Sequence, residues 1–298
     1  MSEVVKTIKL DKVYNKRHAL DNLSVSIAEN SITGLIGRNG SGKTTLMKII
    51  AGKLDITSGK ALVFGEQPMD NLQVLNKLVY TYHNIQYDPS FKLKTILLSY
   101  KIMFPNFDAE FANKLVRYFD LDRKMKYTSL SQGMASIFNF ICALSCRAPL
   151  TMLDEPVLGM DVTVRKHAYE ILLRDFTEHP RTFIISSHLL SELEGILSDI
   201  LLINQGQMVL NSPIDDVRQS AYRIDGTVSA IDGYTAGKKV IMLRKSDLGN
   251  FAIIYEKCTH DAIEQAKQQG LTVSHVRPEE LCVYLTQENK EAELECLW

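Results

Sequence analysis

The sequence predicts an α/β fold: a largely parallel sheet covered by helices on both faces, followed by a small α+β segment. Three observations predict it. Short apolar runs alternate with amphipathic stretches over most of the chain, the pattern of strand–helix–strand units. One such run, "SITGLIG" (31–37), passes directly into a glycine-rich turn that opens a helix. Near "NSPIDDVRQ" (211–219) the pattern changes, and strands come to dominate the remainder.

The elements follow in order. "TIKLDKVY" and "LSVSIAE" alternate as strands, and "SITGLIG" is a short buried strand. "TTLMKIIAG" continues as a helix that stops at Gly52, and "SGKALVFG" is a strand between turn glycines. From Leu72 to Met125 the pattern reads as largely helical, with "FPNFD" as a loop before "AEFANKLVRYF". "LTMLDEP" is a strand, Val162 to Glu178 a helix, "TFIISSH" a strand, "LLSELEGIL" a helix and "DILLINQG" a strand. Further on, "YRIDGTVSAI", "KKVIMLR", "FAIIYEK" and "LTVSHV" read as strands and "DAIEQAKQQG" as a helix. "ENKEAELECLW" is an exposed, charged end whose Leu297 and Trp298 have apolar surface to bury. The expected organisation is a first domain over 1–212, with a helical part at about 84–145, and an accessory domain over 213–298.

Composition narrows the function classes. The 298 residues carry 34 basic and 35 acidic side chains, a formal net charge of −1, so there is no overall electrostatic footprint for nucleic acid. Cys142, Cys146, Cys258, Cys282 and Cys296 are an odd set without zinc-type spacing, which predicts a reduced, cytosolic protein with Cys142 and Cys146 in the core. No leader pattern is visible. The longest apolar stretch, 134–150, is broken by Ser136, Asn139, Arg147 and Pro149, short of the ~20 residues a spanning helix needs.

Four stretches carry chemistry. "GRNGSGKT" (Gly37, Arg38, Asn39, Gly40, Ser41, Gly42, Lys43, Thr44) fits G-x-x-x-x-G-K-[ST] between a strand and a helix. The glycines let backbone N–H groups turn toward phosphate oxygens, Lys43 reaches the β- and γ-phosphates, and the Thr44 hydroxyl suits Mg²⁺. Lys43 is expected to face solvent. "LTMLDEP" delivers two adjacent carboxylates at a strand end, Asp154 for the Mg²⁺ shell and Glu155 to polarise the attacking water. His188, at the end of "TFIISSH", is either structural or a γ-phosphate contact. In "LSQGMASIFNF" (130–140), Ser131 is an N-cap, and Gly133 permits close approach to a helix N-terminus suited to an anion.

Phosphate loop, LSxG, Asp-Glu pair with "LGMD", then histidine, in that order, resemble the ATP-binding-cassette family of ATPases; Ser131 precedes Asp154 by 23 residues, the family's spacing. The resemblance covers about residues 4–212. It implies a P-loop NTPase nucleotide-binding domain that hydrolyses ATP with Mg²⁺. It implies too a head-to-tail pair of such domains, in which Ser131, Gln132 and Gly133 cap the γ-phosphate of the ATP held by the partner. Thr45 belongs to the implied ATP contacts, Tyr14 falls where an aromatic ring stacks on adenine, and Asp161 lies at the dimer seam.

The sequence also departs from the family. Where a glutamine normally touches Mg²⁺ and the membrane partner, the aligned residue is His83, beside Asn84, with Gln86 a few positions late. LSGGQ reads LSQGM, and "ASIFNF" replaces the basic residues that follow. Within the family the chain is most similar to ATPase subunits of bacterial antimicrobial-peptide exporters. That implies a homodimer, or a heterodimer with a second ATPase, docked on separate membrane permease subunits at the cytoplasmic face, with phenol-soluble modulins or antimicrobial peptides as cargo. The alternative is a soluble or regulatory cassette whose ATP-driven dimerisation acts as a switch. Tandem cassettes, coiled coils or cysteine insertions would favour action on ribosomes or DNA, and the sequence has none.

Overall fold

The computed structural model describes residues 2–83, 85–246 and 249–287; Asn84, Cys296, Leu297 and Trp298 lie outside the described residues. Between Asn211 and Ser212 the chain divides into two compact units.

The first unit runs β1 (Glu3–Tyr14), β2 (Arg17–Leu23), β3 (Ser26–Ala28), β4 (Ile32–Ile36), α1 (Lys43–Ile50), β5 (Ser58–Val63), α2 (Leu72–Leu75) and β6 (Leu78–Tyr82). It continues with α3 (Leu93–Met103), α4 (Ala109–Tyr118), a 3₁₀ turn at Tyr127–Ser129, α5 (Gln132–Ser145), β7 (Leu150–Asp154), α6 (Val162–Glu178), β8 (Thr182–Ser187), α7 (Leu190–Leu193), β9 (Asp199–Asn204) and β10 (Gln207–Pro213). A six-stranded sheet has the order β10-β9-β4-β8-β7-β6, with every pair from β9 to β6 parallel. The apolar runs β4, β7 and β8 are buried at every residue, as a sheet covered on both faces requires. A second sheet, in which β2, β3 and β5 all pair antiparallel with β1, was not separable in the sequence from the first. The β1–β2 hairpin turns at Asn15-Lys16, both with positive φ as a type I′ turn demands.

Three sequence expectations need correction. The helical reading of 72–125 fails at "LVYTY", which is β6; its aromatic and β-branched residues pair in parallel with β7. "LLSELEGIL" is helical only over α7 and gives way before Gly195. "YRIDGTVSAI" is a strand only to Asp225; Gly226 breaks it, and Thr227 Oγ1 accepts from Ala230 N–H as the cap of a helix.

The second unit contains α8 (Ile214–Gln219), β11 (Tyr222–Asp225), α9 (Val228–Thr235), β12 (Val240–Arg244), β13 (Phe251–Ile254), α10 (His260–Gln268), β14 (Thr272–His275) and α11 (Pro278–Thr286). From β11 to β14 the sequence is βαββαβ, and the antiparallel sheet order is β12-β13-β11-β14, the split βαβ arrangement. Tyr222, Ile224, Ile231, Tyr234, Ala252, Ile254 and Ala266 give this unit a core of its own.

Candidate active site

The two carboxylates stand where the central sheet ends. Asp154 is the last residue of β7, in register with Tyr82 on β6 and Ser186 on β8. Each flanking strand supplies one donor: Tyr80 Oη–H to Asp154 Oδ2 at 3.1 Å, and Ser186 Oγ–H to Oδ1. Burial, reinforced by the Asp154 charge, pushes the Tyr80 phenol far up, so it stays a protonated donor. Ser186 Oγ in turn accepts the Glu155 N–H at 2.9 Å. That bond helps hold Glu155 at φ 49°, a left-handed conformation costly for a residue with a Cβ, where the chain turns out of the sheet. His188 Nδ1 donates to Glu155 Oε2 at 2.9 Å, which leaves Nε2 for another partner.

The glycine-rich turn lies between β4 and α1. Gly42, φ 110°, is the N-cap of α1, and a Cβ there would stand 2.5 Å from the Ala19 carbonyl oxygen on β2. The turn is thus wedged against the hairpin that carries Tyr14. Arg38, Asn39, Gly40 and Thr44 are exposed, while Gly37, Ser41 and Lys43 are buried. Here the sequence expectation for Lys43 fails. The side chain is only 7% exposed, and its ammonium folds back to donate to the carbonyls of Gly37 at 2.7 Å and Arg38 at 3.3 Å. Burial lowers its pKa, and the nearby charges of Glu155 and Asp154 oppose the shift. Loop lysine and strand-end carboxylates therefore share one electrostatic site.

Residues 131–133 lie elsewhere on the same unit. Ser131 is the N-cap of α5, its Oγ accepting from Met134 N–H at 3.3 Å, and Gln132 is exposed. Gly133 meets the loop after Glu155: an added Cβ would lie 2.5 Å from the Gly159 carbonyl oxygen. Ser136 Oγ donates to the Leu158 carbonyl at 2.7 Å, so the first turns of α5 are tied to that loop twice. Asp161 caps α6 by accepting from Val164 N–H at 2.9 Å. Gly133→Ala tests the contact. Alanine in a helix is normally worth about 1 kcal/mol over glycine, but overpacking against backbone costs about 1–3 kcal/mol. Net destabilisation is expected in urea unfolding, and a stabilised variant would show that the loop yields.

Tyr14 is 44% exposed on β1, with the Lys12 ammonium 5.1 Å from its ring centroid, and its opposite number in the hairpin is Arg17. His83 is exposed just past β6 and lines a small crevice with Tyr82, Ser136, Asn139, Asp154 and Glu155. Thr45 is half-buried on α1. Cys142 and Cys146 are buried free thiols, and burial raises the pKa of both.

Sequence reasoning missed Tyr80 and Ser186. Ser186 had a local trace, a hydroxyl pair in the middle of "FIISSH"; nothing local marked Tyr80.

The donors available fit a triphosphate and a hard cation. Ser41 Oγ is buried without a hydrogen-bond partner among the described residues, in the turn that leads into the N-terminus of α1, the end of a helix that suits an anion. Thr44 and Asp154 offer oxygen ligands of the type Mg²⁺ takes.

Comparisons with known proteins agree in kind. The model of the ABC transporter family matches residues 20–158. The lantibiotic transport ATP-binding protein SrtF of Streptococcus pyogenes is 30% identical over 218 residues, 71% of this chain and 92% of that protein. The bacitracin transport ATP-binding protein BcrA of Bacillus licheniformis is 27% identical over 223 residues, 74% and 72% of the two chains. Among solved structures, a dimeric ATP-binding cassette in a post-hydrolysis state with ADP and Pi superimposes with a TM-score of 0.61 at 19% identity, over 70% of this chain and 98% of that one.

Proposed function

The chain belongs to the ATP-binding-cassette transporter family and is its ATP-binding subunit, and from that premise we propose that it energises export of peptides through separate permease subunits. Lantibiotic and bacitracin transport proteins among its relatives support that cargo class, with antimicrobial peptides or phenol-soluble modulins as the candidates.

The contact between Glu155 and His188, beside Asp154 and Lys43, carries the catalytic reading. Lys43 exchanges its two carbonyl contacts for the β- and γ-phosphates, with Gly37, Arg38, Asn39, Gly40, Ser41, Gly42, Thr44 and Thr45 supplying the rest of the cradle. Thr44, Asp154 and His83 would hold Mg²⁺, which when bound neutralises phosphate charge. Glu155 takes a proton from the attacking water, and His188 Nδ1–H keeps that carboxylate aimed. The ring's Nε2 is left to meet the γ-phosphate. Tyr14 presents its free face to adenine. Ser131, Gln132 and Gly133 serve the ATP of a partner cassette, and Asp161 meets that partner at the seam.

An apolar cleft of about 470 Å³ in the first unit, lined by Leu75, Val79, Tyr82, Ile85, Phe91 and Tyr100 among others, receives the permease. Beside it α3 exposes Leu98, Ile102 and Met103, an apolar patch of the kind that marks an interface. No helix among the described residues is long and apolar enough to cross a membrane, which suits a subunit bound at its cytoplasmic face.

Phosphate release from MgATP tests the activity, and mixed dimers test the shared site. One chain carrying Lys43→Ala is combined with another carrying Ser131→Arg. In the head-to-tail arrangement both defects fall in one site and the other site stays whole. Placing both changes on one chain, paired with wild type, spoils both sites. The separate-chain pairing should therefore be the more active. The reverse order would mean that Ser131 serves its own chain's ATP, and equal activities would leave it a helix cap alone.

A further inference from the structure

An amide lies inside an otherwise apolar stretch of α5. From Ile137 to Leu144 every residue is buried, and only Asn139, 3% exposed, carries a polar side chain that must find partners. It finds two, on two different segments. Its Nδ2 donates to Tyr127 Oη at 2.9 Å, and its Oδ1 accepts from Tyr87 Oη at 3.4 Å. Tyr87 Oη also lies 3.1 Å from Tyr100 Oη on α3, and the Tyr87 and Tyr127 rings meet edge to face at 4.6 Å.

The positions of these partners give the amide its meaning. Tyr127 begins the 3₁₀ turn that leads into Leu130 and Ser131. Tyr87 lies between His83 and α3, in the segment where the family's glutamine would couple the site to the permease. Asn139 itself borders the crevice that contains Asp154, Glu155 and His83. Apolar packing is non-directional, and Ser136 and Gly133 orient α5 only against the loop after Glu155. The amide and its two phenol partners orient it against Tyr87 and Tyr127, because turning α5 breaks both bonds and leaves buried polar atoms unpaired.

We propose that Asn139 is a positioning residue: through Tyr127 and Tyr87 it fixes the rotation of α5, and so the direction in which Ser131–Gly133 present their N–H groups, relative to the segment that follows His83. That role rests on the reading that 131–133 act on nucleotide across a dimer.

The test is the steady-state ATPase of the full-length protein, with kcat and KM separated and nucleotide binding measured at protein concentrations too low for pairing. Asn139→Leu fills the site and removes both bonds. The expected result is a kcat lower by about 10- to 100-fold, the scale of a misplaced catalytic group, with nucleotide binding unchanged. Tyr127→Phe should give a smaller loss, and combining it with Asn139→Leu should add nothing, since both act through one link. Ile141→Val, a cavity on the same helix, separates positioning from stability: it should lower the melting temperature and leave kcat unchanged. If Asn139→Leu does not fold, Tyr127→Phe carries the test through the loss of one oxygen. Wild-type kcat in Tyr127→Phe and in a folded Asn139→Leu would overturn the proposal, as would a kcat that follows melting temperature across all the variants. Ser131→Arg in the same assay keeps the premise distinct: wild-type hydrolysis there removes the reading of 131–133, whatever Asn139 does.

Discussion

Glu155→Gln is expected to slow hydrolysis by about 10²–10⁴-fold, the usual contribution of a positioned general base. The structure explains why the fold should not change. Glutamine keeps an acceptor oxygen for His188 Nδ1, and the Ser186 bond is to the Glu155 backbone N–H, not its side chain. What disappears is the charge that accepts a proton. Nucleotide binding should persist, so that a paired, ATP-loaded form accumulates in size-exclusion chromatography. Asp154→Asn should behave differently. Its two oxygens accept from Tyr80 and Ser186; an amide has one acceptor and one donor end, so one hydroxyl must reverse. The expected result is weakened Mg²⁺ dependence of nucleotide binding. If Glu155→Gln abolished binding and Asp154→Asn did not, the two roles would have to be exchanged.

Lys43→Ala is expected to abolish detectable hydrolysis and weaken ATP binding strongly, because no other lysine of the turn can reach the β- and γ-phosphates. The substitution is not structurally silent. The ammonium is buried and bonded to the Gly37 and Arg38 carbonyls, so its removal shifts the stability of the turn. The shift is small because a buried cation costs desolvation, which offsets the lost bonds. A melt beside a nucleotide titration separates the effects: near-native unfolding with little binding is the expected pair. Native turnover in the folded variant would end the assignment of the loop.

The parts of the site that could be read in the sequence are those whose meaning is local. Gly37 to Thr44 needs only the strand before it and the helix after it, and Ser131 announces its helix by capping chemistry. Asp154 and Glu155 gain their sense from a strand end. Tyr80, Ser186 and Asn139 could not be read this way, because each acts on a group brought close by sheet register or helix packing. Ser186 faces Asp154 only because β8 lies beside β7 in one particular register. Lys43 misled for a related reason: a charged side chain normally faces water, and two backbone carbonyls overrode that tendency. The βαββαβ order of the second unit was hidden by one strand–helix junction, at Gly226-Thr227, where apolar residues continue across a change of period.

The placement of β4 has a consequence for how the chain comes to be folded. This strand, which supports the phosphate-binding turn, sits between β8 and β9. Both lie far downstream, at Thr182–Ser187 and Asp199–Asn204, whereas β6 meets its neighbour β7 much sooner along the chain. During synthesis the earliest strand of the six-stranded sheet therefore waits longest for a neighbour, and "ITGLI" keeps both edges unpaired while some 150 residues emerge, a wait of roughly eight to thirty seconds at about 5–20 residues per second. An open apolar strand is a template for pairing with other chains. The nucleotide site thus waits for the arrival of β8, and a ribosome stalled before Ser186 leaves Asp154 and the backbone N–H of Glu155 without the hydroxyl that joins them.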